Sequence, residues 1–302
     1  MAMIRGVVPP VPTVLDANGE FDPEGMGLLI EKLLTSEING LLFLGSAGEF
    51  ANFTRDQRQA IAKFCVECVN GRRPVIIGTA SCSTQEAIIL TQQAADIGAD
   101  AVMIVNPYYS LMSDERLYIH YKTIADAVDI PQFLYNFPAL TGQNLSIGLI
   151  QRLAADCPNI IGIKDTVDCM SHIRQVITDV KGEHPDFLVF CGFDEYALDT
   201  LLLGGDGVIP ATSNFAPEIT CGIYQAYLNQ DMVTAQSLVR RLAILSKIYT
   251  LEMPFTGLIK SAISLTGTPI STCVSAPATQ PSREVIGQLK ALLHQANIAI
   301  KA

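Results

Sequence analysis

Charge is scarce in this 302-residue chain. Charged residues make up 17% of it, against about 25% in an average soluble protein. Basic charge is scarcer still: Lys+Arg 20 against Asp+Glu 30 leaves a net charge of −10, which disfavours a surface built to neutralise nucleic-acid phosphates. Long hydrophobic runs are missing as well. No stretch reaches the ~18 apolar residues expected of a membrane-spanning helix, and the first ten residues lack the apolar core of a secretory signal. A cytoplasmic location is therefore expected, with the eight cysteines reduced and mostly buried. Cys65 and Cys68 form the one C-x-x-C, inside a helical pattern and without a second pair or a nearby His to complete a zinc site. The four histidines, His120, His172, His184 and His294, fall in helical or pre-strand segments, and none is assigned to catalysis or to a metal.

Apolar residues are plentiful, at 49%. A chain of this length buries about 75% of its unfolded surface and needs neither disulfide nor metal to hold a core. So much apolar residue with so little charge also points to extra buried area, such as a subunit interface.

Short apolar runs alternate with longer helical ones. The short runs are Arg5–Val8, Gly40–Leu44, Pro74–Gly78, Ala101–Val105, Gln132–Tyr135, Ile160–Lys164, Phe187–Cys191 and Gly207–Ile209. Buried parallel strands read this way, because both faces are covered and strict alternation is lost. Between them, Thr54 precedes a helical pattern over Arg55–Val69, Ser83-Thr84-Gln85-Glu86 has capping-box form before Ala87–Ala95, and Ser113 precedes Arg116–Val128. Glycines at 98 and 204 suit left-handed helix ends. Eight evenly spaced units favour an α/β fold of the (β/α)8 TIM-barrel type over residues 1–230. Residues 231–302 carry three further helical patterns, Met232–Thr250, Phe255–Thr266 and Arg283–Ile298, expected to form a C-terminal three-helix extension.

A barrel places its reactive groups at the C-terminal ends of its strands. Those ends are polar or aromatic: Gly45-Ser46-Ala47-Gly48-Glu49, Asn106-Pro107-Tyr108-Tyr109, Tyr135-Asn136-Phe137-Pro138, Lys164-Asp165-Thr166 and Gly192-Phe193-Asp194-Glu195. Lys164 is the most informative, since Ile160-Ile161-Gly162-Ile163 is apolar up to it. An unpaired buried ammonium is costly. Burial favours the neutral amine, which attacks ketones to form a Schiff base, and Gly162 leaves space on the same face. A structural lysine paired with Asp165 or another carboxylate fits these residues equally. Tyr135 ends a strand where a phenol could move protons, or where a core tyrosine could simply sit. The small-residue loop 45–48 has amides and a Ser46 hydroxyl suited to a carboxylate, and it lacks the Lys of a nucleotide-binding P-loop.

Together these motifs resemble the dihydrodipicolinate synthase/N-acetylneuraminate lyase family of pyruvate-dependent class I aldolases, over nearly the whole chain. Tyr135-Asn136-Phe137-Pro138-Ala139-Leu140-Thr141-Gly142 and Gly204-Gly205-Asp206-Gly207-Val208-Ile209 add to the likeness. The resemblance implies that Lys164 forms the Schiff base with a 2-keto acid and that Tyr135 shuttles the proton. It implies that Ser46 and the amides of Ser46 and Ala47 hold the pyruvyl carboxylate, and that Tyr109 reaches a neighbouring subunit's site within a homotetramer. Thr166 and Ile209 would line the pocket, with Asp194 and Glu195 accepting hydrogen bonds from a polyol tail. The same acids would also suit a helix N-terminus. No cofactor or metal is implied. Two departures stand out. Ala47 replaces the Thr that many members carry, and Leu140 replaces the Arg that dihydrodipicolinate synthases use for a second carboxylate; leucine has no donor to offer there. The motifs are most similar to those of bacterial 2-keto-3-deoxy-gluconate and -pentonate aldolases, which release pyruvate and a small hydroxyaldehyde. Alternatives are an N-acetylneuraminate lyase, a Schiff-base dehydratase or hydratase of 2-keto acids, and a non-catalytic pyruvate-binding barrel.

Overall fold

The structure is a computed structural model that describes residues 4–301. Its elements run β1 (Gly6–Val7), α1 (Pro23–Leu34), β2 (Leu41–Phe43), α2 (Arg55–Val69), β3 (Val75–Gly78), α3 (Thr84–Asp96), β4 (Ala101–Val105), α4 (Asp114–Ala127), β5 (Gln132–Asn136), α5 (Pro138–Thr141), α6 (Ile147–Asp156), β6 (Ile160–Asp165), α7 (Met170–Gln175), β7 (Leu188–Cys191), α8 (Ala197–Leu202), β8 (Gly207–Val208), α9 (Pro217–Leu228), α10 (Met232–Leu245), α11 (Thr256–Leu265) and α12 (Arg283–Gln295). Every strand pair is parallel, in the order β1-β8-β7-β6-β5-β4-β3-β2. The circle closes beyond β1, where Leu42 donates to Pro9 O and Val11 donates to Leu42 O. This is the expected (β/α)8 barrel, and the eight apolar runs are its eight strands.

The helix starts follow their caps. Thr54 and Gln57 form a reciprocal capping box at α2. At α3 the Ser83 side chain accepts from Glu86 N, and Ser113 does the same for Arg116 N at α4. Each cap satisfies a donor that the first turn leaves orphaned. Gly98 and Gly204 have φ of 82° and 98°, the left-handed region that a side chain resists.

The barrel interior is filled rather than hollow. Phe133 and Phe190 meet edge to face, centroids 5.8 Å apart. Gly162 makes this possible: a Cβ there would lie 2.9 Å from Phe133 Cε1 and 2.4 Å from Leu188 O. The space expected beside Lys164 at Gly162 is therefore taken by the Phe133 ring and the β7 backbone, which together floor the layer where Lys164 sits. After α9, helices α10 to α12 pack on the barrel through Leu242, Leu245, Ile259 and Leu293, all buried.

Candidate active site

The pairing of β5 with β6 sets Tyr135 opposite Lys164, and Asn136 opposite Asp165. Successive side chains on a strand point to opposite faces. Lys164 and Tyr135 therefore share the inner face, and Asn136 and Asp165 share the outer one. Outside, Asn136 Nδ2 donates to Asp165 Oδ1 at 2.8 Å, and His172 Nδ1 lies 2.7 Å from Asp165 Oδ2. His172 Nε2 lies 2.9 Å from Leu145 O. Burial opposes a charge on His172, but the hydrogen bond and charge of Asp165 outweigh it and hold the imidazole above its ordinary value. Asp165 is thus committed away from Lys164, and the pairing of these neighbours considered from the sequence does not form.

Lys164 is 4% exposed. Among the described residues no carboxylate lies within ion-pair distance of its Nζ, which sits 4.2 Å from the centre of the Tyr135 ring. A second buried lysine makes the contrast plain. Lys260 on α11 lies 2.6 Å from Glu49 Oε1 and donates to Cys273 O at 2.6 Å, while Ser275 N donates to Glu49 Oε2 at 2.7 Å. Burial pulls the Lys260 ammonium down from its ordinary value, and Glu49 opposes that pull. One lysine is locked in an ion pair; the other faces open space.

That space is a cavity of about 200 Å³ at the C-terminal ends of the strands. Lys164, Tyr135, Ser46, Ala47, Thr166 and Ile209 all line it, so the structure brings six of the expected residues together. Tyr135 Oη lies 3.2 Å from Ser46 Oγ. The loop after β2 turns sharply: Leu44 and Glu49 have φ of 54° and 57°, a conformation residues with side chains seldom adopt. Within the loop the N–H groups of Gly48 and Glu49 donate to Gly45 O and Ser46 O, while Thr13 Oγ1 donates to Gly48 O. Among the described residues the amides of Ser46 and Ala47 make no hydrogen bond, which leaves two donors at the pocket for an anionic oxygen.

Other expected residues are placed elsewhere. Leu140, about half exposed, lines an adjoining cavity of about 400 Å³ that shares Ser46 and Phe137 with the first. Tyr109 is 91% exposed and lines neither cavity. Asp194 is buried, and its carboxylate accepts from Thr212 N, Thr212 Oγ1 and Tyr249 Oη rather than facing the Lys164 cavity. Glu195 is half-buried and does not line that cavity either. Conversely, Tyr249, Met253 and Phe255 do line it. They lie between α10 and α11, far from any strand end, in an ordinary apolar-rich run that gave no sign of contact with the barrel mouth. Among the described residues no group of three or more His, Cys, Asp or Glu is placed to hold a metal ion, and no helix is long and apolar enough to cross a membrane. All eight cysteines are free; Cys65 is fully buried in α2, where burial pushes its thiol well up.

Comparison with known proteins adds a family context. The model of the dihydrodipicolinate synthetase family matches residues 3–296. The chain is 44% identical over 294 residues to the putative 2-dehydro-3-deoxy-D-gluconate aldolase YagE of Escherichia coli K12, covering 97% of each. It is 42% identical to the probable 2-dehydro-3-deoxy-D-pentonate aldolase YjhH of the same organism, again over 97% of each. The crystal structure of YagE in complex with pyruvate superimposes with a TM-score of 0.97 at 43% identity, covering 99% of this chain and 100% of that one.

Proposed function

The chain belongs to the dihydrodipicolinate synthetase family, and from that premise we propose that it is a carbon–carbon lyase: a class I aldolase that cleaves a 2-keto-3-deoxy sugar acid of gluconate or pentonate type to pyruvate and a small hydroxyaldehyde. The observation that carries this reading is Lys164, buried against the ring of Tyr135 in the pocket and, among the described residues, without a counter-ion. The names of YagE and YjhH support the substrate class, and the pyruvate bound to YagE supports the shared product.

The chemistry follows from the placement. The Lys164 amine attacks the C2 carbonyl, and loss of water gives a protonated imine. The two unoccupied amides of Ser46 and Ala47 hold the adjacent carboxylate. Tyr135, having given its phenol proton to the hydroxide lost in imine formation, takes the C4 hydroxyl proton as a phenolate, with the Ser46 hydroxyl 3.2 Å away to donate to it. The C3–C4 bond then breaks, its electron pair forming the enamine C=C while the imine nitrogen becomes neutral, and the aldehyde departs. Protonation at C3 and attack of water on the imine release pyruvate and restore the amine. Ala47 offers no hydroxyl, so Ser46 is the hydroxyl partner for Tyr135 here.

The exposed Tyr109 and Leu111 on one side of the barrel mouth support assembly into a homotetramer in which Tyr109 completes a partner's site. The N-acetylneuraminate lyase alternative loses weight because Asp194, central to its hydroxyl-binding motif, is engaged elsewhere. A hydratase would share the imine, and release of an aldehyde separates the two. Reduction with borohydride in the presence of pyruvate, followed by peptide mass mapping, tests the reading. A 1-carboxyethyl adduct on Lys164, absent from Lys164→Ala, is expected. A folded protein that yields no adduct overturns imine chemistry in favour of a barrel that only binds keto acids.

A further inference from the structure

The segment joining α10 to α11, residues 246–255, forms one wall of the Lys164 pocket through Tyr249, Met253 and Phe255. Its connection to the barrel is narrow. Among the described residues, the only side-chain hydrogen bonds from this segment to the barrel run from Tyr249 Oη to the two carboxylate oxygens of Asp194, each 3.0 Å. The segment's other side-chain hydrogen bonds stay local, as from Ser246 to Leu242 O and Thr250 to Lys247 O. Asp194 is itself 1% exposed and anchored on the far side by Thr212, whose N–H donates to it at 3.1 Å. The Tyr249 ring meets Phe255 edge to face at 5.4 Å, so the hold on Tyr249 extends to the start of α11. One carboxylate thus joins the end of β7, the turn after β8 and the C-terminal segment.

We infer that Asp194 is a positioning residue: by holding Tyr249 it fixes the Tyr249–Phe255 wall of the pocket, and so sets the length of keto-acid chain the enzyme accepts. The inference rests on the aldolase reading above, and it assigns Asp194 no contact with substrate. Pyruvate is short and, on that reading, is held by Lys164 and the loop at Ser46. The wall therefore bears on the aldehyde-derived carbons and not on imine formation. Three donors converging on Asp194 are the arrangement an ionised carboxylate needs once it leaves water. Burial nevertheless pushes the Asp194 carboxyl up to about 6, against the pull of Thr212 and Tyr249. The hold on the wall is accordingly firm only while those donors stay in place.

Tyr249→Phe removes one oxygen and keeps the ring; Asp194→Ala removes the anchor; Asp194→Asn keeps an acceptor for Tyr249. Each is assayed for borohydride trapping of pyruvate on Lys164 and for kcat and KM with five-carbon and six-carbon 2-keto-3-deoxy acids. Loss of a hydrogen bond to a charged group is expected to raise KM about tenfold in Tyr249→Phe and Asp194→Ala, with a smaller change in kcat. The ratio of kcat/KM between the two chain lengths is expected to move toward one, trapping of pyruvate to persist, and Asp194→Asn to recover part of the selectivity. An unchanged chain-length ratio in Tyr249→Phe, with trapping intact, overturns the positioning role even if Asp194→Ala fails to fold. Absence of trapping in the wild type overturns the aldolase reading itself.

Discussion

Replacing Lys260 by Met removes the cation from a carboxylate that remains buried. Lys260 is fully buried, Glu49 is 7% exposed, and their charged atoms lie 2.6 Å apart. In Lys260→Met, Oε2 keeps the Ser275 amide, but Oε1 loses the Lys260 ammonium. Stranding one half of a buried pair costs about 3–5 kcal/mol, a large share of the ~5–15 kcal/mol that holds a folded chain together. The double variant Glu49→Leu/Lys260→Met removes both charges and should lose much less than the two single changes combined, leaving a coupling of about 2 kcal/mol or more. Urea unfolding at pH 7 and fixed protein concentration measures it. Far-ultraviolet circular dichroism is the suitable signal, because the chain has no tryptophan. A Lys260→Met loss below about 1 kcal/mol, together with additive single variants, would refute the claim that this pair is a desolvated ion pair. Glu49 also ends the loop that presents the Ser46 and Ala47 amides, so the same variant should weaken pyruvate binding.

Tyr135→Phe should lower turnover by about 10²–10⁴-fold, the usual range for a lost proton-transfer group, and near-normal kcat would remove its role. His120 is buried, with Nδ1 against Thr84 Oγ1 and Nε2 unpartnered, and burial pulls it down to about 4. Its folded value lies below the unfolded ~6.5, so its contribution to stability is present above that value and is lost as pH falls toward 4. Between pH 7.5 and 5 the wild type should lose about 2 kcal/mol more than His120→Gln in urea unfolding, and parallel pH profiles would contradict the assignment. Leu140→Arg places a guanidinium beside the adjoining cavity and should raise relative kcat/KM for an aldehyde bearing a carboxylate. If competition between charged and neutral aldehydes is unaltered, that cavity does not receive the second substrate.

Much of this was legible in the sequence for identifiable reasons. Parallel strands covered on both sides are apolar throughout, so even β1 and β8, two residues long, lay inside recognisable runs. Lys164 drew attention because an ammonium at the end of Ile160–Ile163 has no ordinary reason to be there. Whether it was paired was hidden, since that depends on which side of β6 Asp165 takes and on what waits outside. The pairing of Glu49 with Lys260 spans 211 residues, and no local pattern in α11 separates a buried lysine from a surface one. Asp194 was recognised as a position of interest and expected to meet substrate. The partners it has in the structure, Thr212 and Tyr249, are brought to it by the turn after β8 and by the chain beyond α10. Tyr249, Met253 and Phe255 carry no signal in the sequence, because an apolar residue that faces a pocket looks like one that faces a core.

Strand β6 serves two compartments at once, with an amine inside the barrel and a carboxylate among the helices. A slip of one residue in its pairing would exchange them. The carboxylate would then leave its Asn136 and His172 hydrogen bonds for the pocket, the amine would take its place among the helices, and a side chain would replace Gly162 where Phe133 needs room. The wrong alignment is thus penalised twice, once by charge and once by shape, in two places that do not touch. A chain that has settled its sheet has thereby placed the Lys164 amine at the pocket. Alignment of the sheet and assembly of the pocket become the same event.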